Sequence, residues 1–252
     1  ISNPAGNGAS LDGGADYNTI SQSTMTSNAA GSFALYIIGS DSNTVTGSYL
    51  SNAAGSGARL EVGADYNTIS LSTVTSNAAG YPALTLIEVS SNTIASSYIQ
   101  GSTAVFVSAS TGTIISNSVI VATNTTGSAL WLTDGSVNLT LSSSSLRGGS
   151  QGAGLFIDGP NTGVVTIGSV TVSGSGHGMR VSTQAANFSL VVDSITFRAL
   201  ASGATAVHFL GGTFVSTFTL ANFEDSTTGA NVSGAALAMA SRITMKASRG
   251  PR

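Results

Sequence analysis

Few residues in this chain have types and settings suited to chemistry. His177 stands between two glycines in Gly176-His177-Gly178. Upstream, Asp134 lies in Thr133-Asp134-Gly135 and Asp158 in Ile157-Asp158-Gly159. Two carboxylates with a histidine alongside are the equipment of general acid/base hydrolysis. A histidine between glycines is equally an ordinary turn. A second pattern suits binding rather than reaction. Phe106, Trp131 and Phe156 recur at one regular interval, with Arg180 and His208 continuing the series and Tyr36 preceding it. Sugar faces stack on aromatic rows, and arginine and histidine bond hydroxyls or a uronate. A seam covered by another chain or by a loop would use the same side chains.

Other chemistries are excluded by composition. Cysteine is absent, which removes thiol nucleophiles, thiolate zinc sites and disulfides. The histidines number 2, too few for a multi-histidine metal centre, so neither a metal nor another cofactor is expected. Asp16, Asp41, Asp65 and Glu88 fall in turns, one per repeat, and read as solvated turn carboxylates. Charged residues make up only 8% of the chain, with 8 basic and 11 acidic side chains and a net charge of -3. No basic surface of the kind that holds nucleic acid is available. No apolar run reaches the ~18 residues a membrane-spanning helix needs.

The elements that position these side chains come from a repeat. Residues 15–31 read ADYNTISQSTMTSNAAG, and residues 64–80 read ADYNTISLSTVTSNAAG. Between them, residues 43–55 read NTVTGSYLSNAAG, so the unit is about half of the spacing between the two long copies. A fourth copy begins at Asn92, and the likeness fades after about residue 101. Apolar alternation persists in three rows. The first is Leu11, Leu35, Leu60, Leu84, Val105, Leu130, Leu155, Met179, Val207 and Val232. A second runs from Ile20 through Val45, Ile69, Ile94, Ile114, Leu141, Val165, Leu190 and Phe218 to Ile243. A third runs from Met25 through Leu50, Val74, Ile99, Val119, Leu146, Val170 and Ile195 to Phe223.

Three short strands per ~25-residue unit, separated by Gly, Ser and Asn turns, cannot bury their own apolar face. Stacked in parallel they can. Ten coils at ~4.8 Å each predict a rod of roughly 48 Å. Composition agrees: 42 Ser, 30 Thr, 31 Gly and 16 Asn favour strands and turns over helix. Mean hydropathy is nonetheless positive, at +0.29, so a core forms. Asn18, Asn43, Asn67 and Asn92, and the turn residues Asn28, Asn52 and Asn77, are expected to stack as hydrogen-bonded ladders. The outward row on the first strand reads Asp12, Tyr36, Glu61, Thr85, Phe106, Trp131, Phe156, Arg180, His208 and Ser233. Exposed rings at Phe106, Trp131 and Phe156 would leave an apolar patch that something should cover.

The motif N-T-[IV]-x-x-S-x-[apolar]-x-S-N at about 25 residues resembles the right-handed parallel β-helix repeat of the pectin-lyase-like superfamily. It is also similar to the repeats of bacterial surface and adhesin-like proteins. The resemblance implies a triangular right-handed coil with three parallel sheets over residues 1–252. Near-identical repeats would occupy 8–101, diverged coils 102–247 and a basic tail 248–252. Polygalacturonase-like members carry a G-H-G motif, which would give Asp134, Asp158 and His177 catalytic roles. This chain departs from that pattern: it has no Asp-Asp pair, and Arg242-Ile243-Thr244 stands where a basic R-I-K is expected. Pectate-lyase-like members need clustered carboxylates and a basic residue, and Lys246 is the single lysine. The leading expectation is a non-enzymatic, extracellular or cell-surface rod, adhesin-like or filament-forming. Its partners would be a polysaccharide or another copy of itself. The alternative is a carbohydrate-active enzyme or its inactive relative.

Overall fold

The computed structural model describes residues 1–210, 212–224, 228–232 and 235–239. Within them the chain is a parallel β-solenoid of strands alone, coiled with a repeat near 25 residues. Ser233, Ile243 and the basic residues Arg242, Lys246, Arg249 and Arg252 lie outside the described residues. One face is a 10-stranded sheet, from Ala9–Asp12 through Phe33–Ile38, Leu130–Thr133 and His177–Val181 to Thr228–Val232. The second and third strands of each coil form an 18-stranded sheet, bent along its length. Every pairing is parallel and joins one coil to the next.

Single left-handed residues make the corners. Tyr17, Ser42, Tyr66 and Ser91 have φ of 55–58° and immediately precede the asparagine positions. Gln22, Gly47, Leu71, Ser96, Asn117, Ser143 and Ser169 turn the second strand into the third. One residue at positive φ redirects the chain sharply, and asparagine, glycine and aspartate adopt that conformation at least cost. Near the C-terminal end this corner disappears. Phe188–Arg198 runs as one 11-residue strand, opposite both Thr162–Gly168 and Val170–Ser173.

The corners are held by side-chain ladders. The backbone N–H of Asn18, Asn43 and Asn67 each donates to the Oδ1 of the asparagine one coil on, at 2.8 Å every time. Asn43, Asn67 and Asn92 are buried. A second ladder, absent from the sequence reading, is built of serine. The N–H of Ser23, Ser48, Ser72, Ser97 and Ser118 donates to the next coil's serine Oγ at 3.1–3.2 Å. Each of these hydroxyls donates in turn to the carbonyl two residues back, as Ser72 does to Ser70 at 2.7 Å. Buried corner amides are thereby satisfied where strand pairing cannot reach them. The turn asparagines do not stack as expected. Asn52 is buried, with Nδ2 donating to the carbonyls of Ser32 and Ala29, but it pairs with Ser27 and Ser76. Asn28 and Asn77 are exposed.

The core is a set of apolar ladders. On the first face one row is Ala9, Leu35, Ala58, Leu84, Val105, Leu130, Leu155, Met179, Val207 and Ala230. Two residues on, Leu11, Ile37, Leu60, Leu86, Val107, Leu132, Ile157, Val181, Phe209 and Val232 form another. Leu11, Leu60 and Val232 thus belong two residues further along than expected. The second and third rows need correction too, by one residue on one coil and by two on later coils. Ile115 stacks between Ile94 and Leu141, and Ile120 between Ile99 and Leu146. Ile114 and Val119 point outward and are exposed. Val165, Leu190, Val170 and Ile195 are buried, but the stacking positions belong to Ile167, Val192, Val172 and Phe197. Burying one such aliphatic side chain contributes about 1.5–3 kcal/mol, which accrues only once coils stack.

Candidate functional site

The outer side of the first face carries the candidate site. Strand register places Phe106, Trp131, Phe156, Arg180 and His208 directly opposite one another on successive coils. Phe106 meets Trp131 edge-on at 5.3 Å between ring centroids, and Trp131 stacks on Phe156 at 5.7 Å with planes 25° apart. The Arg180 guanidinium lies over the Phe156 ring, 4.9 Å from its centroid. The rings are half-buried rather than fully exposed, because each covers part of its neighbour.

His177 joins this group through a local break in strand alternation. Gly178 and Met179 are both buried, so His177 and Arg180, three residues apart, share the outer face. A small residue occupies the Gly178 position on other coils too, as at Ala34, Ala83, Ala104, Ala129 and Gly154. The neighbouring sheet and the next coil demand it: a Cβ on Gly178 would lie 2.3 Å from Phe197 Cδ1 and 2.4 Å from the Ala206 carbonyl oxygen. At Gly176 a Cβ would lie 2.6 Å from Gln151 Cα. The glycines around His177 are therefore explained by packing.

The His177 and His208 rings are 5.1 Å apart and tilted. Beside Trp131, Phe156, His177 and Arg180 the surface forms a recess of about 150 Å³, walled by Thr126 and Gln151. That wall is tightly built: the turn around Gly152 stacks on Gly127, whose carbonyl oxygen lies 2.0 Å from where a Cβ of Gly152 would sit. A larger recess of about 380 Å³ lies at the neighbouring turn segments, with Arg147 and Asn124 in its lining but no aromatic ring.

Three residues lining the recess carry a buried polar atom without a hydrogen-bond partner in the protein, Trp131 Nε1, Arg180 Nε and His177 Nδ1, and His208 Nδ1 beside His177 is in the same state. Leaving such groups unpaired is costly. Both histidines are held below their ordinary value. For His177 burial is the main cause, followed by His208 and Arg180; for His208 it is burial, then Arg180. Among the described residues no carboxylate lies within ion-pair distance of Arg180.

The other sequence candidates fall elsewhere. Asp158 follows the strand Ala153–Ile157 and His177 pairs with Ala153, at that strand's start. Five residues of strand separate them, roughly 16 Å. Asp158 accepts from the Ser182 hydroxyl at 2.7 Å. Asp134 is an exposed corner residue with φ 55°, accepting from the Ser108 hydroxyl at 3.0 Å. The structure thus does not bring Asp134, Asp158 and His177 together. Asp16, Asp41 and Asp65 are not simply solvated: each carboxylate accepts a backbone N–H from the following coil, at 2.6–2.9 Å.

Tyr36 lies on the same outer row but belongs to a separate cluster. Its ring stacks on Phe33 at 5.0 Å, and its hydroxyl donates to Glu61. Burial and that bond raise Tyr36 to about 12. Arg59, not Glu61, occupies the row between Tyr36 and Thr85, and it pairs with Glu61 and lies over Phe33. At the ends of the row the register places Ser10 where Asp12 was expected, and Asn231 in place of Ser233. Arg59 and Gln151 are the site-face residues the sequence reading missed. Recognising that Ala58, not Leu60, stacks between Leu35 and Leu84 would have found the first.

Comparison with known proteins places this geometry. A family model described as the right-handed β-helix region matches residues 1–146. No curated protein sequence matches the chain. Among solved structures, the tailspike protein of Pseudomonas phage LKA1 aligns with a TM-score of 0.57 and 11% identity, over 93% of this chain and 47% of the tailspike. The tailspike of E. coli bacteriophage HK620, solved in complex with a pentasaccharide, gives 0.57 and 12%, over 88% and 47%. The endo-xylogalacturonan hydrolase from Aspergillus tubingensis gives 0.58 and 11%, over 98% and 85%. The chain thus spans about half the length of each tailspike, and identities this low carry the fold alone. With more than half of its residues matched by the family model and its coils stacked in parallel throughout the described residues, the chain belongs to the right-handed β-helix family.

Proposed function

We propose that this chain is the glycan-binding segment of a non-enzymatic, extracellular or cell-surface β-helix protein, a rigid adhesin-like rod whose groove centres on Trp131. One observation carries the reading: the ladder Phe106–Trp131–Phe156–Arg180 borders a recess of about 150 Å³ on the outer face, lined by two of its rings and its guanidinium. Aromatic faces take the apolar faces of sugar rings, and fixed N–H donors take their hydroxyls. The coils on either side hold these groups without reorganisation, which lowers the cost of binding. The separation of Asp134 and Asp158 from His177 supports a binding role over a hydrolytic one.

Trp131 is the single tryptophan of the chain, so its fluorescence reports on this groove alone. Titration with a panel of neutral and acidic oligosaccharides is expected to shift that signal, and Trp131→Ala, which has no tryptophan and is read by calorimetry, to weaken binding at least about tenfold. A panel without a binder, together with concentration-dependent association that Trp131→Ser abolishes, would assign the groove to a second copy of the chain instead. Release of reducing ends or unsaturated products from any bound glycan would overturn the non-enzymatic part.

A further inference from the structure

Three large side chains stand where backbone geometry and burial both argue against them. Tyr17, Tyr66 and Leu71 have φ of 58°, 55° and 49°, and are 82%, 62% and 68% exposed. A bulky residue in the left-handed region strains the backbone, and an exposed one gains no core packing in return. The intervening coils make the same corners with Ser42 and Ser91, and with Gly47 and Ser96. Folding therefore does not require the large residues, and strain kept at exposed positions points to a use outside the chain.

Their arrangement limits what that use is. Counted by these corners, the first and third coils carry Tyr17 and Tyr66 before the second strand of the coil, and Gln22 and Leu71 after it. The second and fourth coils carry Ser42 and Ser91 before it, and Gly47 and Ser96 after it. Between the corners the outward positions are short and uncharged, with Thr19, Thr44, Thr68 and Thr93 in register. The face is thus corrugated with a period of two coils, about 9.6 Å at ~4.8 Å per coil. It is the period at which residues 15–31 repeat as residues 64–80.

A surface corrugated at two coils is complemented by one of the same period displaced by one coil, and a second copy of the chain supplies it. We propose that two copies dock through this face, antiparallel, about a two-fold axis that runs along the strands between the second and third coils. The corrugation selects that symmetry. A two-fold axis along the rods would set every ridge against its own equivalent. The axis across the rods sets coil one against coil four and coil two against coil three. Tyr66 then fits over Ser42 of the second copy and Leu71 over its Gly47, while Tyr17 meets Ser91 and Gln22 meets Ser96. The tyrosines of the pair form one column, contributed by the two copies in turn at ~4.8 Å, within the range of packed rings. Such an interface is isologous and closed, so it yields a pair and not a filament. It spans four coils by about five residues, roughly 19 by 16 Å, a size that belongs with weak, reversible pairs. Asp16, Asp41 and Asp65 rim one edge, next to Tyr17, Ser42 and Tyr66, so like charges of the two copies face each other and salt strengthens the pairing. The inference does not depend on the glycan reading.

The test is sedimentation equilibrium of the whole chain from about 10 µM to about 1 mM, the range in which a pair of this size assembles. Reversible dimerisation is expected, tighter in ~0.5 M than in ~0.05 M salt. Tyr66→Ser with Leu71→Ser should weaken it at least about tenfold. The fold should persist in that variant, because serine already makes these corners at Ser91 and Ser96. Ser42→Tyr fills the groove and should weaken pairing as much, while Trp131→Ser, on another face, should leave it unchanged. The arrangement is read from a nitroxide on Thr140→Cys, in a chain otherwise without cysteine. Thr140 stands in register three coils beyond Thr68 on the same face. The antiparallel pair holds the two labels about seven coils, ~34 Å, apart along the rods, whereas parallel copies bring them face to face. A strict monomer at the highest concentration overturns the proposal. So does a dimer that survives the corner substitutions, one that Trp131→Ser dissolves, one that salt weakens, or one with its labels face to face.

Discussion

The asparagine ladder predicts an unequal response to two substitutions that look alike in sequence. Asn67 Oδ1 accepts the backbone N–H of Asn43 at 2.8 Å, and its Nδ2 donates to the Ser40 carbonyl at 2.9 Å. Asn67→Ala removes both partners and leaves two buried backbone groups unpaired. At about 1–3 kcal/mol for each unsatisfied group, partly offset by relaxation, the cost is roughly 2–4 kcal/mol. Asn43→Ala removes less. Its Oδ1 serves the N–H and Nδ2 of Asn18, which is exposed and regains a partner from solvent, and its own Nδ2 has no partner to lose. That substitution should cost about 1 kcal/mol or less. A difference of about 2 kcal/mol is roughly thirtyfold in local opening, and native-state hydrogen exchange reads it coil by coil. The Asn43 amide should exchange at least about thirtyfold faster in Asn67→Ala than in the parent, and urea midpoints should order parent, Asn43→Ala, Asn67→Ala. Equal midpoints for the two variants, or an Asn43 amide as protected in Asn67→Ala as before, would refute the ladder's role in holding the corner.

Gly178→Ala should destabilise the chain by about 1–3 kcal/mol, since its Cβ would overlap Phe197 and the Ala206 carbonyl, whereas His177→Gln should not. Thermal denaturation of both variants decides whether packing or the histidine requires the Gly-His-Gly sequence. Acid stability follows from the two depressed histidines: their contribution is present above the ordinary histidine value of about 6.5 and is lost as pH falls through their lower folded values. The parent should therefore lose stability on acidification below about pH 6.5, and the His177→Gln, His208→Gln double variant should lose less, as denaturation midpoints against pH will show. Tyr36 shifts in the opposite sense: raised to about 12, it favours the folded state below the ordinary tyrosine value and loses that contribution as pH climbs toward 12. Ultraviolet titration should find one late-ionising tyrosine, absent in Tyr36→Phe.

Spacing and composition alone determined the architecture. Recurrent N-T-[IV] segments, apolar residues two apart and Gly/Ser/Asn punctuation admit stacked parallel coils and little else, because no single coil can bury its own apolar side. The outward positions of Phe106, Trp131, Phe156, Arg180 and His208 were legible for the same reason: each lies between two inward apolar residues. What stayed hidden was register wherever a coil departs from the mean length. Ser97 and Ser118 stack only 21 residues apart, so a spacing near 25 could not choose between Ile114 and Ile115, or between Val119 and Ile120. Alternation could not choose between Ala58 and Leu60 either, since both point inward, and only the hydrogen-bonded partner put Arg59 beside Tyr36. The site depended on one further feature that strict alternation misses, a small buried residue just ahead of the inward row. Two consecutive buried residues at Gly178 and Met179 turn His177 to the outer face, toward Arg180 and His208 and away from Asp158. Glycine is required at 178 because the Phe197 ring of the neighbouring sheet leaves no room for a Cβ, a contact between residues far apart in the chain that only tertiary packing decides.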